Sequence, residues 1–510
     1  MDVPLEQLPK EWQEQFQRLS RENELLRLRL RLVLIEKYGR KSEKFSDQQL
    51  QLLNQEPSVT EAEVATEAAQ SDRLIEAPPA TSVPQPKPRR REHPGRMELP
   101  AHLERREQVI PCPDQERCCP QCQKEKRLIG YEVSEELELE PVVCFVRVIK
   151  REKRACHDCP EAGVSTAPCP SKIIPKGKLG DQFVIDAVIK KFDEHLPAYR
   201  QCAILQRDFR IELSRQTLVD AMLRVGELLQ PIRGGLIDDL KRGGYIQADE
   251  TPVPCQSERT PGRNHQAYMW EYSRPAGPVV FDFRMGRQRD GPRNFLKGFT
   301  GTLQTDGYVA YDHLGEGIIY SGCMSHTRRG FYKAHQVAKE DPLPLEVLRV
   351  IARLYEIEEE ARAAKMSFEQ RLTLRQQRSR GIMDQLKERL VAIRQNVLPA
   401  SALGKACDYA LRQWKRLGVF LEDGRVEIDN NWCENGIRPI ALGRKNWLHI
   451  GSEAAGPKIA AIMSVMETCR RLGVNVRDYF NDVLPKLAEW PITRVSELTP
   501  MAWQAIPPAH

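Results

Sequence analysis

The chain has 510 residues, 41% of them apolar, enough to bury real cores; at roughly one domain per 100–200 residues it should be globular and multidomain. Its 77 basic and 71 acidic side chains leave a net charge of only +6, so any nucleic-acid affinity must come from local clusters rather than bulk charge. The opening MDVPLEQLPKEW has no basic stretch leading into an apolar one, and runs such as VVCFV are far too short to cross a bilayer, which points away from export and membranes and toward the cytoplasm.

The N-terminal segment carries a heptad with Leu5, Trp12, Leu19, Leu26 and Val33 at d and Phe16, Asn23 and Leu30 at a. An Asn at a single a position fixes register and strand number in coiled coils. Residues 1–45 therefore read as a leucine-zipper-like helix that pairs the chain into a homodimer; the alternative is an amphipathic helix packed on its own chain. Pro9 confines the helix to the residues after it. Residues 46–98 pass from acidic (EAEVATEAAQ) to Pro-rich basic (PQPKPRRREHPGR) without apolar periodicity and read as a disordered linker. Arg89, Arg90 and Arg91 are candidates for DNA contact along a minor groove, against the alternative of a solvated charge run.

Eight Cys lie from Cys112 to Cys169, which in a reducing cytosol is a metal pattern more than a disulfide one. Cys119-Pro-Gln-Cys122 and Cys156-His-Asp-Cys159 are two knuckles, each able to turn two thiolates toward one tetrahedral Zn²⁺. The β-rich stretch ELELEPVVCFVRVIKREKR between them is expected to form a hairpin that brings the knuckles together. Residues 99–175 thus read as a zinc ribbon, structural because four thiolates leave no open position. Cys118 is an alternative to Cys119, and Cys112, Cys144 and His157 are spare candidates.

Residues 176–240 hold three helical patterns, DQFVIDAVIKKF, LPAYRQCAILQRDF and SRQTLVDAMLRVGELL, the last capped by Ser214 and opened by Arg215 and Gln216. They fit a helix-turn-helix DNA reader or a plain helical bundle. GGYIQADETPVP, QAYMWEYSR, PVVFDFRMG and GTLQTDGYVAY then read as four β segments. Asp249 after YIQA and Asp306 after LQT are placed alike, each where a strand is expected to end. Neighbours on a strand face opposite sides, so Glu250 should face away from Asp249; Asp282, within FDF, reads as solvent-facing. Two Asp and a carboxylate from a later helix are what a pair of Mg²⁺ ions needs for in-line displacement at phosphorus. Beyond Asp306 the chain runs through CMSHTRRGFYKA, with His326, Arg328 and Arg329, into a charged helical region of about residues 345–415. There Ile382, Leu386, Leu390 and Ile393 hold one face, and the Glu-rich run 356–360 reads as solvated. The third acid is sought in EIDNNWCENGIRPIALGRKNW, which offers Asp429 and Glu434.

The chain resembles transposases of the insertion sequence 66 family, which are Asp-Asp-Glu transposases with a ribonuclease H-like core. The resemblance rests on the leucine-rich helix followed by YGRKSEKF, the two-knuckle module, LPAYRQ, ADETP, LQTDGYVAY, DNNWCENGIRPIALGRKNWLHIGS and GVNVRDYFNDVLPKL. It implies a triad of Asp249, Asp306 and Glu434 holding two Mg²⁺ (or Mn²⁺) ions, and terminal inverted repeats in double-stranded DNA as substrate. End cleavage and strand transfer would then share one site. It further implies small accessory proteins encoded beside the element and, for a bacterial cytoplasmic protein, association with the nucleoid. Two departures stand out: Glu434-Asn435 where the family has Glu-Arg, and Met324-Ser325-His326-Thr327 where it has Trp-Ala-His-Ala.

The fold expected is therefore multidomain α+β. A ribonuclease H-like α/β catalytic core spans 241–335 and 420–455, interrupted by a large helical insertion at 336–419 and followed by a C-terminal helical region at 456–510. Asp429 is a good N-cap, which makes it structural and puts Glu434 on the second turn of a short helix that should end near Arg438, before Pro439. Arg438, Arg444 and Lys445 would neutralise phosphates together with Arg215, Arg328 and Arg329. Trp447 either stacks on an unpaired base or packs as a core aromatic. The rival readings are a DNA-binding factor with an idle site, a nuclease that does not join ends, and a zinc and coiled-coil scaffold.

Overall fold

The structure is a computed structural model. It describes residues 171–504 apart from 176 and 259–261, together with 26, 144–146, 153–155 and 164–166. The zipper apart from the helical Leu26, the arginines at 89–91 and the four expected zinc ligands lie outside the described residues. The chain divides into two compact units, Pro78–Ala167 and the remainder. In the smaller unit, β1 (Lys153–Ala155) pairs antiparallel with β2 (Val164–Thr166), with Lys153 opposite Thr166.

In the larger unit, the described residues from 171 onward open with four helices, α1 (Asp181–Phe192), α2 (Ala198–Phe209), α3 (Arg215–Leu228) and α4 (Gln230–Arg242). Ser214 caps α3 as expected, its hydroxyl accepting from Thr217 N at 3.1 Å, while Arg215 and Gln216 stay exposed. The apolar stripes of α1 and α3 (Val184, Ile185, Val188, Leu218, Met222, Val225) are fully buried in one large core.

A five-stranded sheet follows, built from β3 (Tyr245–Gln256), β4 (Asn264–Ser273), β5 (Val279–Arg284), β6 (Gly301–Gln304) and β7 (Ile318–Ser321), in the order β5-β4-β3-β6-β7. A short helix, α5 (Asp290–Phe295), precedes β6. The first three strands form an antiparallel meander, and β6 and β7 add parallel to β3. The strand β7 is one more than the four β segments read from the sequence; its four residues are too few to show a period. The first strand is also longer than expected. Asp249 lies inside β3, not at its end, because residues 247–256 continue as a ladder with β4 after the pairing with β6 stops at Gln247.

From β7 the chain enters α6 (Met324–Val337), α7 (Leu343–Ala363), α8 (Phe368–Leu374), a π-helical turn (Arg375–Ser379), α9 (Arg380–Asn396), α10 (Ala402–Arg412) and α11 (Trp414–Leu417). These build a second core in which Ile382, Leu386, Leu390 and Ile393 are buried as their spacing requires. The Glu run of α7 is not wholly solvated. Glu358 is fully buried between Arg371 (2.6 Å) and Arg375 (2.7 Å), and Arg371 also reaches Glu427 at 2.5 Å. Burying a carboxylate is tolerated only when it is paired in this way, which single-sequence spacing does not reveal. The chain closes with α12 (Asn431–Trp447), α13 (Ala455–Arg471), α14 (Val476–Leu487) and α15 (Pro500–Gln504), α13 lying on β5 and on α3. Asp282 is buried on β5, bonded by Arg233 at 2.9 Å and Arg284 at 2.6 Å, rather than facing solvent. Among the described residues no helix is long and apolar enough to cross a membrane.

Candidate active site

The site is organised by two glutamines. Gln247 on β3 and Gln304 on β6 are registered partners in the parallel pair, and their side chains meet at 3.0 Å. Asp249 follows two residues later on β3 and so shares the glutamine face, while Asp306 lies two residues past the end of β6. Beyond Gln304 the chain turns sharply. Asp306 Oδ1 accepts from Tyr308 N at 2.8 Å, and the intervening Gly307 has φ +87° with no room for a Cβ, which would meet Gln413 at 2.5 Å.

The same glutamines seat the helix that carries the third acid. Gln247 donates to Asp429 O at 2.9 Å and accepts from Cys433 N at 3.2 Å. Gln304 donates to Glu427 O at 2.8 Å and Gly322 O at 2.9 Å, while Tyr245 OH accepts from Glu427 N at 3.0 Å. Three buried polar side chains thus fasten the entry into α12 to the sheet, and Glu434 enters the electrostatic field of Asp249. Burial first, then the negative charges of Glu250, Glu434 and Asp306, hold the Asp249 carboxyl well above the usual carboxylate range.

Glu250 takes the opposite side, as strand alternation requires. It is bonded by Tyr311 OH at 2.6 Å and Arg287 at 2.5 Å, and burial raises its pKa. Glu271, opposite Asp249 on β4, is fully buried and pushed up to about 8 by burial. It lies under Gly436 of α12, where an added Cβ would run into its carboxylate, so glycine lets the helix lie close on the sheet.

Asp429 acts at the start of α12 as expected, accepting from Asn431 N at 3.2 Å, yet the N-cap itself is Asn430 and Glu434 falls in the first turn rather than the second. Burial raises the Asp429 pKa to about 7, and Tyr355 OH donates to it at 2.9 Å. The helix does not stop before Pro439. It runs on to Trp447 with Pro439 buried inside it, because its apolar face packs on β3 and β4 and that burial outweighs the one backbone bond proline removes.

Glu434 faces α6. Arg329 reaches its Oε2 at 3.1 Å, and His326 Nδ1 stands 3.5 Å from its Oε1, with burial lowering the His326 pKa. Arg328 is half-buried on the same helix. Arg438 and Lys445 are exposed on α12, but Arg444 is bonded to Thr251 Oγ1 at 2.9 Å and Pro252 O at 2.5 Å, which pins the helix to β3. Trp447 is packed against the main core, in line with its reading as a core aromatic. The exposed side chain at this bend is Leu448, the centre of a γ-turn with φ 67° closed by His449 N to Trp447 O at 2.8 Å. Sequence reasoning passed over Tyr245, Gln247, Gln304 and Tyr355. The visible signal was the repeated Gln-x-Asp of QAD and QTD.

The model described as "Transposase IS66 family" matches residues 176–458, which contain Asp249, Asp306 and Glu434. The model for the "zinc-finger binding domain of transposase IS66" matches 116–160, taking in Cys119, Cys122, Cys156 and Cys159 and supporting a structural zinc. "Transposase C of IS166 homeodomain", a leucine-zipper-type model, matches 25–107, and the "IS66 C-terminal element" matches 464–501. Among curated proteins, "Uncharacterized protein y4hP" of Sinorhizobium fredii (strain NBRC 101917 / NGR234) is 30% identical, covering 94% of this chain and 88% of its own length. "Uncharacterized protein y4qI" of the same organism is 33% identical over 83% of this chain and 79% of its own length.

Proposed function

Given that the chain belongs to the IS66 transposase family, we propose that it binds the terminal inverted repeats of a mobile element and catalyses Mg²⁺-dependent end cleavage and strand transfer. What supports this reading is that the buried Asp249 carboxyl feels the negative charges of Glu434 and Asp306, which help to raise its pKa. Carboxylates that repel one another in this way fit divalent cations, and their hard oxygens suit Mg²⁺ or Mn²⁺. The three acids would hold two such ions, which when bound supply a nucleophile at neutral pH and stabilise a leaving 3′ oxygen. Gln247 and Gln304 keep the two Asp in register and fix the helix that offers Glu434. Tyr311 and Arg287 hold Glu250 on the other face of the strand. Arg438 and Lys445, exposed along the same helix, give positive charge to backbone phosphates.

The ribonuclease H-like reading of the core rests on the mixed five-stranded sheet, with Asp249 on β3 and Asp306 two residues past the end of the adjacent parallel strand β6. Residues 336–419 are read as an insertion because the second core they contribute to draws every buried residue but Tyr245 from between Asp306 and Glu434 in sequence. Pairing of two chains through the N-terminal helix completes the proposal.

The test uses purified protein, element-end DNA and Mg²⁺. Cleavage and joining are expected from the wild type, and Asp249→Asn, Asp306→Asn and Glu434→Gln should each abolish both while leaving end binding intact. Pre-cleaved ends that never join a target plasmid would identify a nuclease, and no metal-dependent product at all would identify an idle DNA-binding factor.

A further inference from the structure

Two helix starts meet beside Glu434. Cys323 immediately precedes α6 and His326 lies three residues on, so the Cys-x-x-His pair shares one face of the first turn. The Cys323 sulfur, a His326 ring nitrogen and a Glu434 carboxylate oxygen all lie within 4.8 Å of one another. His326 Nδ1 and Glu434 Oε1 are both buried and neither has a hydrogen-bond partner, although they face each other at 3.5 Å. Buried polar atoms left in this way are costly unless something joins them. Two ligands on a tetrahedral ion at bonds of about 2.0–2.1 Å stand about 3.3 Å apart, close to the separation found here. Arg329 occupies the other carboxylate oxygen and leaves Oε1 to the cluster.

We propose that Cys323, His326 and Glu434 form a second cation site, taking a thiophilic divalent ion such as Zn²⁺, and that filling it withdraws Glu434 from the Mg²⁺ site and switches the enzyme off. The donor set decides the ion. One thiolate, one imidazole and one carboxylate are the mixed ligands of zinc sites with an open fourth position, whereas Mg²⁺ prefers oxygen and keeps its waters. Binding releases the Cys323 thiol proton to solvent and shifts the His326 proton from Nδ1 to Nε2, which then no longer accepts from Arg329 at 3.2 Å; the two negative ligands balance the divalent charge. The switching half rests on Glu434 being the third Mg²⁺ ligand; the existence of the site does not.

The experiment uses full-length protein with its ribbon zinc in place and excess metal removed. Titration with Co²⁺ should give a thiolate-to-cobalt charge-transfer band that is lost in Cys323→Ser, a variant that keeps an acceptor for Asn430 N–H, which donates to the Cys323 sulfur at 3.4 Å. Cobalt exchanged into the ribbon appears equally in both proteins and cancels in the difference. His326→Gln, read by the same spectrum, should weaken cobalt binding by roughly tenfold or more. Identical spectra for wild type and both variants overturn the site, whatever Glu434 does in catalysis. In the second arm, added Zn²⁺ should inhibit Mg²⁺-dependent cleavage by the wild type but not by Cys323→Ser. A cobalt site without zinc inhibition overturns the switch. A Glu434→Gln protein that still cleaves in Mg²⁺ overturns the triad instead and leaves the spectroscopic result to decide the site.

Discussion

Gln247 and Gln304 are hydrogen-bonded to each other at 3.0 Å across the parallel strands β3 and β6, and that pair fastens the entry to α12 through Glu427, Asp429 and Cys433. Replacing Gln304 by Leu keeps much of the volume but strands the carbonyls of Gly322 and Glu427 and the Tyr245 hydroxyl. Each buried group left unpaired costs about 1–3 kcal/mol, so the variant should lose on the order of 3 kcal/mol or more in thermal or urea unfolding. In whatever fraction folds, cleavage should fall in kcat more than in KM.

Asp429 should govern stability between about pH 4 and pH 7. Its folded-state pKa of about 7 lies above the unfolded value near 3.8, so the folded state binds more protons in that window and stability falls as pH rises through it. Asp429→Asn removes the ionisation. The variant should be at its least stable relative to wild type near pH 4 and should gain on it by a few kcal/mol, to order of magnitude, by pH 8. Melting temperatures of both proteins across that range check the slope, and parallel curves would refute it.

The Glu358, Arg371, Arg375 and Glu427 network ties α7 and α8 to the loop that leads into α12. Glu358→Ala leaves the buried Arg375 guanidinium without a carboxylate and Arg371 with Glu427 alone, and breaking a buried pair from one side costs about 3–5 kcal/mol. Limited proteolysis should then open residues 336–419 at temperatures where the wild type resists. An unchanged digestion pattern would show the network to be dispensable.

Three basic residues of α12 should separate by role. Arg438 and Lys445 are exposed, so each Ala variant should weaken DNA binding across sequences and reduce the salt slope by about one unit. Arg444 is held by Thr251 and the Pro252 carbonyl. Arg444→Ala should chiefly lower the melting temperature and leave the salt slope unchanged, which binding isotherms at several salt concentrations distinguish.

Part of this protein was legible from spacing alone. The helices 181–192, 198–209 and 215–228, the Ser214 cap, the buried face of Ile382, Leu386, Leu390 and Ile393, and the opposed directions of Asp249 and Glu250 all follow from rules that act within a few residues. The family was legible too, because its motifs are long and the matched models span most of the chain. Other features depend on residues far apart in sequence. Whether Asp249 ends a strand depended on β4 continuing the ladder, and whether Pro439 ends a helix depended on the apolar face it packs. Burial of Glu358 and Asp282 depended on arginines that arrive from other elements. The sequence by itself determined the local elements and the acids available. Only the tertiary structure decided which side chains stand together at Glu434, because proximity across 105 or more residues is set by packing and long-range hydrogen bonds and leaves no period in the chain.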